Sequence, residues 1–118
     1  MSKIAEQIVK FSFDAAHELP GHPGKCRRLH GHTWKGRLVV RSSVDEGTGM
    51  GLDFIDLKRI VDETVPDHAY LNELVPTPTC EALAEYLVLL FRAALPATDA
   101  VVEIELWESD RCGVRVRV

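Results

Sequence analysis

From Val9 to His17 the chain alternates. Val9, Phe11, Phe13, Ala15 and His17 share one parity, while Lys10, Ser12 and Asp14 take the other. That period of two predicts a strand over residues 8–17 with one covered face. Pro20, Gly21, Pro23 and Gly24 then force a loop. A second strand is predicted from about His30 to Val44, in which Trp34, Leu38 and Val40 share the parity of His30 and His32. The turn-rich stretch from Asp45 to Gly51 ends the hairpin that these two strands form. The period lengthens after it. Leu57, Ile60, Val61 and Val65 make the apolar stripe of a helix from Phe54 to about Thr64, capped by Asp53, with Asp56 near the favourable end of its dipole. A loop holding Pro66, Pro76 and Pro78 leads to Thr79, the cap of a longer helix through Leu95 with Leu83, Leu87, Leu90 and Phe91 as its core face. Pro96 marks the exit. Val102, Ile104, Leu106 and Glu108 share a face of the next strand, and Gly113 opens a last one where Val114, Val116 and Val118 alternate with Arg115 and Arg117.

The order strand, strand, helix, helix, strand, strand predicts an α+β fold: an antiparallel four-stranded sheet with both helices packed on one face. Exposed edge strands are a liability that joining copies edge to edge removes. A length of 118 residues points to one domain over 1–118. The net charge of -4, with Lys and Arg scattered along the chain, offers no basic stripe for nucleic acid. No apolar run approaches the roughly 20 residues that span a membrane, and Glu6, Lys10 and Asp14 interrupt any secretion-signal pattern. Cys26, Cys80 and Cys112 form no disulfide framework, so a cytoplasmic setting is expected.

His30 and His32 lie two apart in a strand, so their rings leave one face with Cα atoms about 6–7 Å apart. His17 ends the neighbouring strand on the apolar parity. Two adjacent strands can thus aim three imidazoles at one volume, a donor set suited to zinc that leaves a fourth position open. Independent histidines remain the alternative. Cys26, four residues before His30, is open to two readings: a fourth ligand of a closed structural site, or a nucleophile or base beside Lys25, Arg27 and Arg28. Asp67 next to His68 either caps a turn or forms a proton-transfer pair, although adjacent backbone positions make direct pairing geometrically doubtful. Glu108, on the inward parity, requires a partner, and a planar ligand edge with several N–H groups would supply one. Trp34 and Trp107 read as packing residues.

Several segments carry a resemblance: FSFDAAHEL around His17, CRRLHGH from Cys26 to His32, LDFIDLK from Leu52, PDHAYLN around Asp67–His68, PTCEALA from Pro78, and the Glu108 region. In this order, over nearly the whole chain, they resemble the 6-pyruvoyl-tetrahydropterin synthase and 6-carboxy-tetrahydropterin synthase family. The resemblance implies zinc held by His17, His30 and His32, catalysis by Cys26 with Asp67 and His68, and a pterin gripped at its 2-amino and N3 edge by Glu108. It also implies subunits that assemble into a barrel-forming trimer or a dimer of trimers, with Asp67 and His68 supplied by the neighbour of the subunit holding Cys26. Only three residues separate Cys26 from His30, as in the carboxy, queuosine-pathway branch of the family. Two departures are Ala82, where the family has Asn, and Pro66, where leucine is common.

The implied reaction converts 7,8-dihydroneopterin triphosphate to 6-carboxy-5,6,7,8-tetrahydropterin with release of acetaldehyde and triphosphate. The electrons come from the substrate's own side chain, so no nicotinamide is required. Lys25, Arg27 and Arg28 are candidates for the triphosphate on position alone. The nearest alternative stops at 6-pyruvoyl-tetrahydropterin. An alternative of another class is a non-catalytic assembly module in which zinc ties two strands together.

Overall fold

A computed structural model describes residues 3–96 and 101–118. Strand β1 (Ile4–His17) pairs antiparallel with β2 (His30–Ser43) from Ile4 opposite Ser43 to His17 opposite His30. Helix α1 (Phe54–Thr64) follows, then the two-residue strand β3 (Ala69–Tyr70), helix α2 (Cys80–Ala94), β4 (Val101–Trp107) and β5 (Gly113–Arg117). The sheet has the order β3-β1-β2-β4-β5. It is therefore mixed and five-stranded, because β3 runs parallel to β1 at Ala15 and Ala16. Two residues are too few to leave a periodicity, which is why the sequence pattern predicts four strands. Strand β1 also begins earlier than its pattern indicates. Ile4 is exposed there, on the same parity as the exposed Glu6, so the apolar and polar residues do not alternate in that part of the strand.

The caps form where the sequence places them. Asp53 accepts from the backbone N–H of Ile55 at 2.8 Å, and the Thr79 hydroxyl accepts from that of Ala82 at 3.1 Å. The second bond shows that Ala82 leaves the start of α2 intact. Between sheet and helices lies an apolar layer that includes Phe13, Trp34, Leu57, Leu87, Phe91 and Ile104. Phe13 stacks on Trp34 with ring centroids 6.2 Å apart, and Phe11 meets Phe91 across the layer at 6.0 Å. Leu90 is exposed, contrary to the predicted core face. The buried stripe of α2 runs through Cys80, Leu83, Ala84, Leu87, Val88 and Phe91, and Leu90 sits roughly 90° around the helix from its centre at 3.6 residues per turn, just past the edge that Leu83 marks.

The other sheet face is polar. Arg117 reaches Glu103 at 2.9 Å and Arg115 reaches Glu105 at 3.0 Å. Trp107 is on this face too, exposed and donating to Glu105 at 2.8 Å, so it is not the packing residue the sequence suggests. Its strand position has outward parity. No helix of the described residues is long and apolar enough to cross a membrane.

Gly36 lies opposite Phe11 in the ladder. A Cβ there would stand 2.5 Å from the Phe11 ring and 2.6 Å from the Glu105 carbonyl oxygen, whereas at Gly21 it would meet nothing within 4 Å. Gly36→Ala is expected to cost about 1–3 kcal/mol by overpacking, and Gly21→Ala to be near neutral. Urea unfolding of both variants checks the contrast.

Candidate metal centre

Along the covered face the side chains change from apolar to imidazole at one end of the sheet. The register places His17 opposite His30 and Ala15 opposite His32, so three rings converge. Their centroids are 4.5 Å (His17–His30), 5.1 Å (His17–His32) and 4.9 Å (His30–His32) apart, with Trp34 beneath. One ligand atom from each of His17, His30, His32 and Glu108 lies within 4.8 Å of all the others. These four residues can coordinate a metal ion.

The hydrogen bonds behind the rings fix their orientation. His17, fully buried, has Nδ1 2.8 Å from the Pro78 carbonyl oxygen. His30 has Nδ1 2.6 Å from that of Arg28. A carbonyl oxygen only accepts, so each Nδ1 carries the proton and each Nε2 presents a lone pair. The Nε2 atoms of His17 and His32 are buried without a hydrogen-bond partner. Glu108 Oε1 lies 3.3 and 3.1 Å from them, but neither contact has hydrogen-bond geometry. Buried polar nitrogens left in this way are costly, and a cation among them would partner all. Burial, opposed by the Glu108 charge and reinforced by His17 and His30, lowers the pKa of His32 and favours the neutral, ligating form.

Glu108 thus sits with the imidazoles. The signal was present in the sequence: Glu108 continues the inward row of Val102, Ile104 and Leu106, and the β2–β4 register aligns that row with Val40, Leu38 and Gly36. Cys26 is outside the four-residue group. It occupies a 3-10 turn, Lys25–Arg27, half-buried, and its carbonyl accepts from Leu19 at 3.0 Å. Lys25, Arg27 and Arg28 are exposed around it. Cys80 is a different kind of thiol, buried beside the Leu106 carbonyl and pushed up to about 11 by desolvation.

Asp67 and His68 do pair directly, with Nδ1 to Oδ2 at 2.9 Å. Adjacent residues manage this because His68 takes a left-handed backbone, φ 59°, held by its N–H donating to Asp14 O at 2.6 Å. The other Asp67 oxygen accepts the Asp14 N–H at 2.9 Å. A cleft of about 440 Å³ is lined by His68 together with His32, Asp14 and Thr33.

The family profile described as 6-pyruvoyl tetrahydropterin synthase matches residues 6–118. A 6-carboxy-5,6,7,8-tetrahydropterin synthase from Synechocystis sp. is 43% identical over 106 residues, covering 81% of this chain and 82% of that protein. A dihydroneopterin monophosphate aldolase from Pyrococcus furiosus is 35% identical over 114 residues, covering 95% and 96%. The structure of Caenorhabditis elegans 6-pyruvoyl tetrahydropterin synthase superposes with a TM-score of 0.87 at 23% identity, over 98% of this chain and 96% of that one.

The Asp14 N–H holds the Asp67 carboxyl below the usual range, and the bond to Asp67 raises the His68 pKa. Both groups are then charged between the two values. The raised His68 pKa contributes stability below the ordinary histidine value, lost as pH rises through the folded one. Lowered Asp67 contributes above the ordinary aspartate value, lost on acidification through its folded pKa. In an NMR titration His68 is expected to titrate above the reference near pH 6.5, and Asp67→Asn to bring it back. An unchanged His68 midpoint in that variant would contradict the pairing.

Proposed function

The chain belongs to the 6-pyruvoyl tetrahydropterin synthase family and is a lyase-type enzyme, and from that premise we propose that it holds zinc through His17, His30 and His32 and converts 7,8-dihydroneopterin triphosphate and one water molecule into 6-carboxy-5,6,7,8-tetrahydropterin, acetaldehyde and triphosphate. The observation that carries the reading is the pair of buried, unpartnered Nε2 atoms in a cluster of three rings. Support for the carboxy product comes from the similarity to the Synechocystis synthase and from the short interval between Cys26 and His30.

Zinc bound there supplies positive charge that acidifies the substrate's side-chain hydroxyls and steadies developing negative charge. The remaining work falls to side chains. Cys26, as thiolate, takes a proton from a side-chain carbon, and His68, kept charged by Asp67, handles a second proton. Glu108 turns from the imidazoles to accept from the 2-amino and N3–H edge of the pterin. Lys25, Arg27 and Arg28 offer charge to the triphosphate. Self-association into a trimer, or a dimer of trimers, lets Asp67 and His68 serve a neighbour's Cys26. Such assembly also suits the topology, because β5 is the outermost strand and β3 covers β1 only at Ala15 and Ala16.

A second reading draws on the Pyrococcus aldolase, whose similarity spans nearly its full length. It retains side-chain carbon–carbon cleavage but takes a monophosphate. Incubating the zinc-loaded protein with each phosphate ester, followed by mass analysis of the pterin and an acetaldehyde assay, separates these readings. The carboxy-pterin with matching acetaldehyde from the triphosphate is the expected result. A pyruvoyl product, or turnover of the monophosphate alone, overturns it, and tight zinc without turnover favours a structural module.

Cys26→Ala is expected to keep zinc while losing about 10²–10⁴-fold in kcat, the usual contribution of a positioned acid or base. His30→Ala is expected to lose both zinc and turnover yet remain folded by circular dichroism. Loss of metal from Cys26→Ala would instead mark a closed four-ligand site.

A further inference from the structure

We propose that Asn72 is a positioning residue for the metal centre, setting the direction of His17 by clasping the backbone of Glu18. The proposal rests on the three-imidazole reading above. The strand ladder ends at His17 opposite His30, and β3 reaches only Ala15 and Ala16. Glu18 is therefore the first residue of this edge with no strand neighbour among the described residues. Asn72 takes that place. Its Oδ1 accepts the Glu18 N–H at 3.0 Å and its Nδ2 donates to the Glu18 carbonyl at 2.8 Å. One planar amide thus satisfies both backbone groups of one residue, and it fixes the peptide that carries the His17 Cα.

The segment bearing Asn72 is itself anchored. Leu71, at the start of the 3-10 turn Leu71–Glu73, is fully buried, and the Tyr70 hydroxyl donates to the Glu18 carboxylate. Six residues after Asn72, the Pro78 carbonyl accepts from the ring of His17. His17 is consequently held on two sides by a single stretch of chain: its backbone through Glu18 and Asn72, its ring through Pro78. The backbone tie gives the imidazole its aim, and the ring tie gives it its tautomer.

The molecule contains its own control. At the far end of β1, Gln7 makes the same reciprocal amide contact with Leu52, donating at 2.8 Å and accepting at 2.9 Å. That clasp is ten residues from His17 and touches none of the four clustered residues. Breaking either clasp removes comparable bonds, but only one lies beside a ligand.

The test uses the full chain, stripped of metal and titrated with Co²⁺, with absorption spectra recorded and affinity measured against a chelator. Asn72→Leu is expected to weaken Co²⁺ about 10–100-fold, the usual consequence of losing a residue that orients a ligand, and to change the visible spectrum. Asn72→Asp keeps the acceptor for the Glu18 N–H and should recover part of that loss. Gln7→Leu should lower the thermal midpoint of the metal-free protein while leaving affinity within about twofold, since distant sites act independently. Wild-type affinity and spectrum in Asn72→Leu, or an equal loss in Gln7→Leu, overturns the proposal. If Asn72→Leu does not fold, Asn72→Asp decides alone: reduced affinity supports the clasp and an unchanged value overturns it. Failure of the wild-type chain itself to take up Co²⁺ overturns the metal reading and this inference together, a result distinct from failure of Asn72 alone.

Discussion

A buried imidazole has two nitrogens to satisfy, and the end of this sheet depends on how that requirement is met. Pro78 and Arg28 take the outward nitrogens of His17 and His30. The inward nitrogens of His17 and His32 meet only a carboxylate without hydrogen-bond geometry. Such an arrangement is unfavourable for folding alone and favourable once a cation enters. The long β1–β2 ladder, the Trp34 floor and the loop ending at Pro78 all serve to hold these rings close. The stability supplied by the apolar layer is what permits a polar corner with unpartnered buried nitrogens beside it.

Much of this was legible in the sequence because strands report their faces by parity. Val9 to His17 and His30 to Val40 put all three imidazoles on the covered face before any coordinates, and Asp53 and Thr79 announced the helix starts. The parts that were not legible depend on tertiary contacts. Strand β3 exists because Asp67 and His68 bond to Asp14 and bring Ala69 alongside β1, which no local pattern encodes. Direct pairing of Asp67 with His68 required a left-handed backbone at a histidine, a conformation disfavoured for L-residues and unreadable from residue type. Glu108 was placed on the inward face by parity, but its approach to His17 and His32 follows from the order of strands in the sheet.

The stretch from Pro66 to Thr79 links these features. It carries the Asp67–His68 pair at one end, the Glu18 clasp in its middle and the His17 acceptor at the other, then caps α2. A segment that sequence patterning describes only as a proline-containing loop therefore sets the relation between the Asp67–His68 pair and the imidazoles. The departures at Pro66 and Ala82 fall within or just beyond it. Ala82 retains its backbone cap, and the Pro66 carbonyl accepts from Ala69 at 3.3 Å.

In the proposed centre three imidazoles, and not Cys26, hold the metal. X-ray absorption at the zinc edge of the purified, zinc-loaded protein addresses it directly. The expected result is about one zinc per chain with three imidazole nitrogens at about 2.0–2.1 Å and no sulfur. A sulfur scatterer at about 2.3 Å, or no stoichiometric zinc, would contradict it.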